Sequence, residues 1–486
     1  MIKSDPYRLV VVTLTVLAAA LFAYPCLRLG YGYEIDYNEG WNAYHQLAAM
    51  AGLSPYADGG ALFFNNYPPL SFYLIGLAGL VVGDPVLAGR LLSVAAVAVI
   101  AACCAKTTRA AGGDRFDAML AAVTCLGLFS AFATDYVGID DPQLLAQALL
   151  CCGFALYVSG SATPGRMSGV AALFAAGLLI KHNVLALPLV VGVHALWRAP
   201  MAGRAAFFGG GLVLAAIAAM AIQLAYGPVF FQQLLAPRTY DVGRGFLLTM
   251  DVLGRLQSVL AVVGLFLLLR HRDAVSRMVA AYLALGLAFG MGFAGGSGVD
   301  INIFFDAMIA LALGTGLAAT HLRREAKAVP NAAALFAVLA NAGVVLFAPQ
   351  ALGRFAVDAL GELELRQRLF AEDVAYLRSI PGPALCESML LCHRAGKPMW
   401  VDPYNSLQAT LTGRLPPDAV TGLIRDRLAA VAQISTPREH PLDEAPGLQV
   451  MPQRFANFGD PVYDALDASY RVERVGLSGR FYRPNP

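Results

Sequence analysis

The chain has 486 residues, 58% of them hydrophobic and 14% charged, a balance far more apolar than that of an ordinary soluble domain. A net charge of +2, with Lys and Arg spread in small groups between apolar stretches, excludes the strongly basic surface that a nucleic-acid partner calls for. No CxxC or Cys/His metal spacing occurs among the eight cysteines, which speaks against a zinc or iron–sulfur site; Cys26, Cys103, Cys104, Cys125, Cys151 and Cys152 fall in or beside apolar segments, as small hydrophobes do.

An apolar run begins at Leu9 and continues with no small-residue cleavage site before Tyr31, so it reads as an uncleaved first helix, and Lys3 and Arg8 put its N-terminus in the cytoplasm. Residues 31–86 then form a first external loop. Up to Tyr67 it carries Glu34, Asp36, Glu39 and Asp58 and no Lys or Arg. One carboxylate of the run Tyr33-Glu34-Ile35-Asp36-Tyr37-Asn38-Glu39-Gly40-Trp41 could act as a general base toward a hydroxyl while a second positions a substrate or a divalent metal. Acids also settle at helix N-termini without any chemistry to do, and the residues alone leave both readings open.

Residues 68–82 are apolar but only about 15 long where roughly 20 are needed to span, and a span there would throw Lys106, Arg109 and Arg115 outside. They read as an interfacial or re-entrant helix started by Tyr67-Pro68-Pro69-Leu70. Apolar stretches starting near residues 87, 118, 142, 169, 184, 205, 251, 278, 303 and 331 join the first to give about eleven spans, and the basic loops at residues 106–115, 166, 198–204, 270–277 and 323–327 (Lys327 included) all fall inside.

Outside, Asp135 and the pair Asp140-Asp141 share a face with the first loop. Lys181-His182-Asn183 sits between two short apolar segments; Lys181 there could hold a phosphate as a point charge or could snorkel to the interface. Arg238 and Arg244 are exceptions to the charge rule that an anionic substrate would explain, as would an ordinary solvated loop, and Asp300, Asn302 and Asp306 mark another external helix mouth. From Ala351 the composition turns polar. Residues 351–486 read as a small extracytoplasmic soluble α/β domain, with a helix over 368–377 and short strands at 384–386 and 399–401. Cys386 and Cys392 lie in it and are read either as a disulfide or as two buried thiols. The expected architecture is an α-helical polytopic membrane protein, with a membrane domain at 1–350.

The order of Asp36 and Glu39, then Gly52-Leu53-Ser54-Pro55-Tyr56, Tyr67-Pro68-Pro69-Leu70 and Gly89-Arg90-Leu91-Leu92-Ser93 resembles the GT-C superfamily of membrane glycosyltransferases. The likeness is to the dolichyl-phosphate-mannose protein mannosyltransferase-like bacterial group (glycosyltransferase family 39-like) that includes aminoarabinose and lipopolysaccharide-core transferases. It implies inverting transfer of a hexose or pentose from a polyprenyl-phosphate carrier to a hydroxyl of a lipid, glycan or protein of the cell envelope, on the periplasmic face of a bacterial inner membrane. Where the family has an adjacent Asp-Glu pair this chain has Asn38-Glu39, leaving the base between Asp36 and Glu39, with Asp36 favoured. By the same resemblance Asp140 or Asp141 carries over as the family's second-loop acid and Lys181 as its cation; Tyr67 is read with the two acids as positioning acceptor, donor or metal, and His182, Arg238 and Arg244 with Lys181 as facing the lipid phosphate. A divalent cofactor, Mg or Mn, is left open. A polytopic transporter and a non-catalytic membrane scaffold are the alternatives; the first predicts inverted repeats, and none is found.

Overall fold

The computed structural model describes residues 5–56, 62–270, 273–325, 331–435 and 457–486; Lys3, Asp58 and Lys327 lie outside them. Helix α1 (Pro6–Arg28) starts at Asp5, whose carboxylate accepts the Tyr7 N–H at 3.1 Å, with Pro6 in the first turn where its missing N–H costs nothing. Helices α2 (Tyr37–Met50) and α3 (Leu70–Val82) fold within the first loop. Next come α4 (Pro85–Ala110) and α5 (Arg115–Phe132), the latter opened by a reciprocal capping box between Asp114 and Asp117. The chain continues through α6 (Gln143–Val158), α7 (Pro164–Ile180), α8 (Ala186–Arg198), and α9 (Met201–Arg204), which passes by a π turn into α10 (Gly210–Tyr226). After α11 (Pro228–Leu234) follow α12 (Val242–Leu269), α13 (Ala274–Phe293), α14 (Phe305–Glu325), α15 (Ala332–Ala340) and α16 (Ala342–Val357).

Among the described residues, eight helical segments are long and apolar enough to cross a membrane. The expected eleven would also need α6, α7 and α8, which at 16, 17 and 13 residues fall short of the roughly 20 of a full span. Helix α14 is the axis of the bundle, buried along the whole of its apolar stretch against α4, α5, α12 and α13, whereas α10 buries only 11% of its own and presents Leu212, Ile217 and Leu224 outward. A lipid-facing helix has that profile, because tails are as apolar as Leu. At one end of the bundle Arg323 of α14 meets Asp114 at 2.5 Å and Asp117 at 2.9 Å, and the Tyr7 hydroxyl donates to Asp117 at 2.9 Å, tying α1, α5 and α14 together. At the other end Arg28 donates to the Val137 carbonyl at 2.7 Å.

The last membrane helix, expected to stop near residue 350, runs on. Pro349 removes one N–H inside α16 without ending it, and a π-helical turn at Asp358–Glu362 leads into α17 (Leu363–Ser379). Then come β1 (Ala384–Cys386), α18 (Met389–Arg394), α19 (Pro403–Leu411), α20 (Ala419–Arg425), β2 (Val431–Ile434), α21 (Asp460–Ser469), β3 (Tyr470–Gly476) and β4 (Gly479–Pro484). The strands form one sheet in the order β1-β2-β4-β3, with β1 parallel to β2 and the rest antiparallel. Cys386 and Cys392 are disulfide-bonded, closing β1 onto α18. The strand expected at 399–401 is absent: Val401 instead makes a lone bridge to Leu62 in the first loop, where the Asp402 N–H donates to the Leu62 carbonyl at 2.7 Å.

Candidate active site

The acidic run of the first loop becomes the first turn of α2. Asp36 is its N-cap and accepts the Asn38 N–H at 2.9 Å; Glu39, three residues on, reaches back to the Ile35 N–H at 2.9 Å. Beyond that the two acids part. Glu39 is 0% exposed and takes a two-pronged contact from Arg90 of α4, Nε at 2.6 Å and Nη2 at 2.8 Å, with the Asp140 N–H at 3.3 Å besides. Arg90 spends its other bonds on the carbonyls of Tyr31, Tyr33 and Arg28, at 2.5 Å, 2.9 Å and 3.4 Å, so the pair knots the loop to α4. Asp36 stays half-open. Burial, then the negative charges of Glu39, Asp141 and Asp300, push its carboxyl up to about 7.

The Asp140–Asp141 pair divides in the same way. Asp140 is fully buried, accepts Gln46 Nε2 at 2.9 and 3.0 Å, and is pushed well above the usual carboxylate range by burial. It packs so closely on Gly89 that a Cβ there would stand 1.9 Å from its Oδ1. Asp141 caps α6 through the Gln143 N–H at 2.8 Å and turns its other oxygen to Lys181 Nζ, 3.9 Å away. Lys181, the residue that ends α7, is 4% exposed and its ammonium lies 3.5 Å above the centre of the Tyr67 ring. Tyr67 in turn stands edge-on to Trp41 of α2, ring centres 5.0 Å apart. Asp36, Asp141, Tyr67 and Lys181 are therefore assembled from the starts of α2 and α6, the stretch before α3 and the end of α7.

Among the cations, the structure separates roles that the sequence grouped. Arg244 donates to the carbonyls of Ala294 at 3.2 Å and Gly296 at 2.7 Å, and to that of Val299, fastening the end of α13. The partners of Arg238 are neutral: Asn66 Oδ1 at 3.2 Å, Asn405 Oδ1 at 3.1 Å, the Ser297 carbonyl at 3.4 Å and the Tyr404 ring at 5.6 Å. Among the described residues none of these partners carries a negative charge. His182 is half-buried, and burial with the charges of Lys181 and Arg238 lowers its ring to about 4, so near pH 7 it is a neutral donor or acceptor. Asp135 is exposed beside Arg28 at 3.8 Å; Asp306 accepts the Tyr282 hydroxyl at 2.7 Å inside the bundle; Asp300 approaches the Tyr136 hydroxyl at 3.4 Å.

Two contributors carried no role in the sequence reading. Arg90 had a signal, a cation at the external end of an apolar stretch. The other is the small domain, whose helix α18 lies directly on α2 and whose helix α19 reaches it through its N-cap. The Leu390 N–H approaches Glu34 Oε1 at 3.4 Å, Tyr37 and Trp41 both donate to Asp402, and Thr239 donates to Gln408 Oε1 through its N–H at 3.1 Å and its hydroxyl at 3.0 Å. A metal fits this donor set poorly. Among the described residues no three His, Cys, Asp or Glu side chains converge, Glu39 is held by Arg90, and Asp141 faces Lys181.

No protein-family model matches the chain, and no curated protein matches it by sequence. Solved structures match it along its length. ArnT from Cupriavidus metallidurans in the apo state superposes with a TM-score of 0.62 at 14% identity, over 97% of this chain and 97% of that one. The same protein bound to undecaprenyl phosphate gives 0.59, with the same identity and coverage. The oligosaccharyltransferase AglB from Archaeoglobus fulgidus, in complex with an inhibitory peptide and a dolichol-phosphate, gives 0.51 at 10% identity, over 99% of this chain and 74% of that one. The fold described above is the one that ArnT and AglB share with this chain.

Proposed function

We propose, on the premise of a GT-C fold, that this chain is a membrane glycosyltransferase that moves a sugar, hexose or pentose, from a polyprenyl-phosphate carrier to a hydroxyl of a cell-envelope lipid, glycan or protein. The observation that carries the reading is a half-open carboxylate, Asp36, that feels the charge of Asp141, whose own carboxylate faces Lys181 at 3.9 Å, on a fold that in ArnT holds undecaprenyl phosphate. Asp36 takes the proton of the acceptor hydroxyl as that oxygen bonds to the anomeric carbon. The bond from that carbon to the phosphate oxygen breaks, its electron pair leaves on the phosphate, and the configuration inverts. Negative charge grows there in the transition state, and Lys181 and Arg238 are placed to meet it. A base near 7 suits the task, since proton transfer is most effective when the catalytic group titrates near the working pH. Glu39 and Arg90 position rather than react, and Asp141 orients Lys181.

The orientation follows from the same reading. The end carrying Tyr7, Asp114, Asp117 and Arg323 faces the cytoplasm, and the site with the small domain faces the periplasm of a bacterial inner membrane. The Cys386–Cys392 bond suits that oxidising side.

The test is an assay of purified protein against a panel of polyprenyl-phosphate sugars, following release of free polyprenyl phosphate. Asp36→Asn is expected to lower acceptor-dependent release by about 100- to 10,000-fold while leaving carrier binding intact. Wild-type rates in that variant would remove Asp36 from the mechanism; a panel with neither turnover nor carrier binding would sink the glycosyltransferase reading.

A further inference from the structure

Asp402 is the N-cap of α19 and is fully buried. Capping explains one of its bonds, the Asn405 N–H at 3.0 Å. It accepts three more: the Tyr37 hydroxyl at 3.1 Å, Trp41 Nε1 at 2.9 Å and Asn405 Nδ2 at 2.6 Å. An ionised carboxylate can satisfy four donors where an amide or a hydroxyl cannot, so the surroundings demand an acid here.

What those donors are attached to gives the acid its significance. Tyr37 and Trp41 belong to the first turn and a half of α2, the turn that Asp36 caps. Asn405, with its amide N–H2 anchored on Asp402, offers its Oδ1 to Arg238 at 3.1 Å. Tyr404 donates its N–H to the Tyr37 hydroxyl at 3.3 Å, receives the Arg238 guanidinium over its ring, and donates its own hydroxyl to Ser297 Oγ at 2.8 Å. One buried carboxylate thus reaches Asp36 and Arg238 through a single intervening residue each, Tyr37 and Asn405.

We infer that Asp402 is a positioning residue of the site, setting the spacing between Asp36 and Arg238, so that the small domain completes the reaction centre. The inference rests on the glycosyltransferase reading for its kinetic half alone; the link to Arg238 concerns anion binding and stands by itself.

The experiment uses the full-length protein in nanodiscs. Undecaprenyl phosphate binding is titrated for wild type, Asp402→Asn, Arg238→Ala and the double variant, and transfer is measured for wild type and Asp402→Asn. Arg474→Ala serves as the control for simple loss of stability, since it breaks the contact to Asp373 at 3.1 Å elsewhere in the small domain. In Asp402→Asn an amide N–H2 faces donors that had a carboxylate, so carrier binding is expected to weaken about tenfold, with the double variant no weaker than Arg238→Ala, and kcat to fall by about a hundredfold. Arg474→Ala is expected to lower the melting temperature and leave both unchanged. Additive losses in the double variant, or wild-type binding and kcat in Asp402→Asn, would overturn the assignment. Coupled binding without any sugar transfer would sink the glycosyltransferase reading and still support the positioning role. Absence of carrier binding in the wild type would overturn both.

Discussion

Asp36 and Glu39 differ by one methylene and three positions, and what distinguishes them is a guanidinium 51 residues away from Glu39. Removing one partner from a buried ion pair leaves a bare charge and costs about 3–5 kcal/mol, so Glu39 is committed to Arg90 and has no lone pair to lend to a substrate proton. Asp36 has one backbone donor and an open side. Its raised carboxyl gives a pH dependence with a definite sign: the base works deprotonated, so kcat/KM should sit on a plateau above about 7 and fall tenfold per unit below it. A profile that holds level down to an ordinary carboxylate value, about 4, would contradict the environment described for Asp36. Which acids were present was legible from the residues; the preference for Asp36 rested on the family resemblance alone. The burial of Asp140, the docking of Arg244 on carbonyls and the neutrality of His182 were not, because each depends on neighbours that sequence distance conceals.

At the scale of elements, α2 and α18 pack backbone against backbone. Gly40 is what permits it, for a Cβ there would lie 2.1 Å from the Leu390 nitrogen and 2.4 Å from the Met389 carbonyl carbon. Backbone cannot give way as a side-chain tip can. Gly40→Ala should therefore lift α18 off α2, with a loss of stability of roughly 1–3 kcal/mol and a drop in transfer of about tenfold or more. Thermal melting and the release assay read the two effects, and a variant matching wild type in both would show that α18 is not seated on α2. The helix over 368–377 and the short α3 were visible in periodicity and length, and the short strand at 384–386 in its apolar run. The run at 399–401 looked the same as that strand but pairs with the first loop, and local pattern carries no information about which distant segment an edge will meet. The polar turn in composition at Ala351 misled for a related reason, since α16 carries on to Val357 after the residues cease to be apolar.

For the whole molecule, the side on which each loop lies can be tested directly. In a Cys26→Ser background, Ala110→Cys, an exposed position at the end of α4, should resist an impermeant thiol reagent applied from outside, while Ser379→Cys at the end of α17 should react. The reverse pattern would invert the proposed orientation. The helical architecture and the existence of a polar C-terminal domain were readable from hydropathy and charge alone; the closure of that domain over the site was not, since composition reports solvent and not contact. That closure also sets a timetable. The segment bearing Asp36 leaves the ribosome early, yet its docking partners at Leu390 and Asp402 lie 356 and 365 residues downstream of the groups they meet. A nascent chain must carry an unfinished site through the whole of its synthesis, and a message cut short before α19 leaves Tyr37 and Trp41 without the carboxylate they bond.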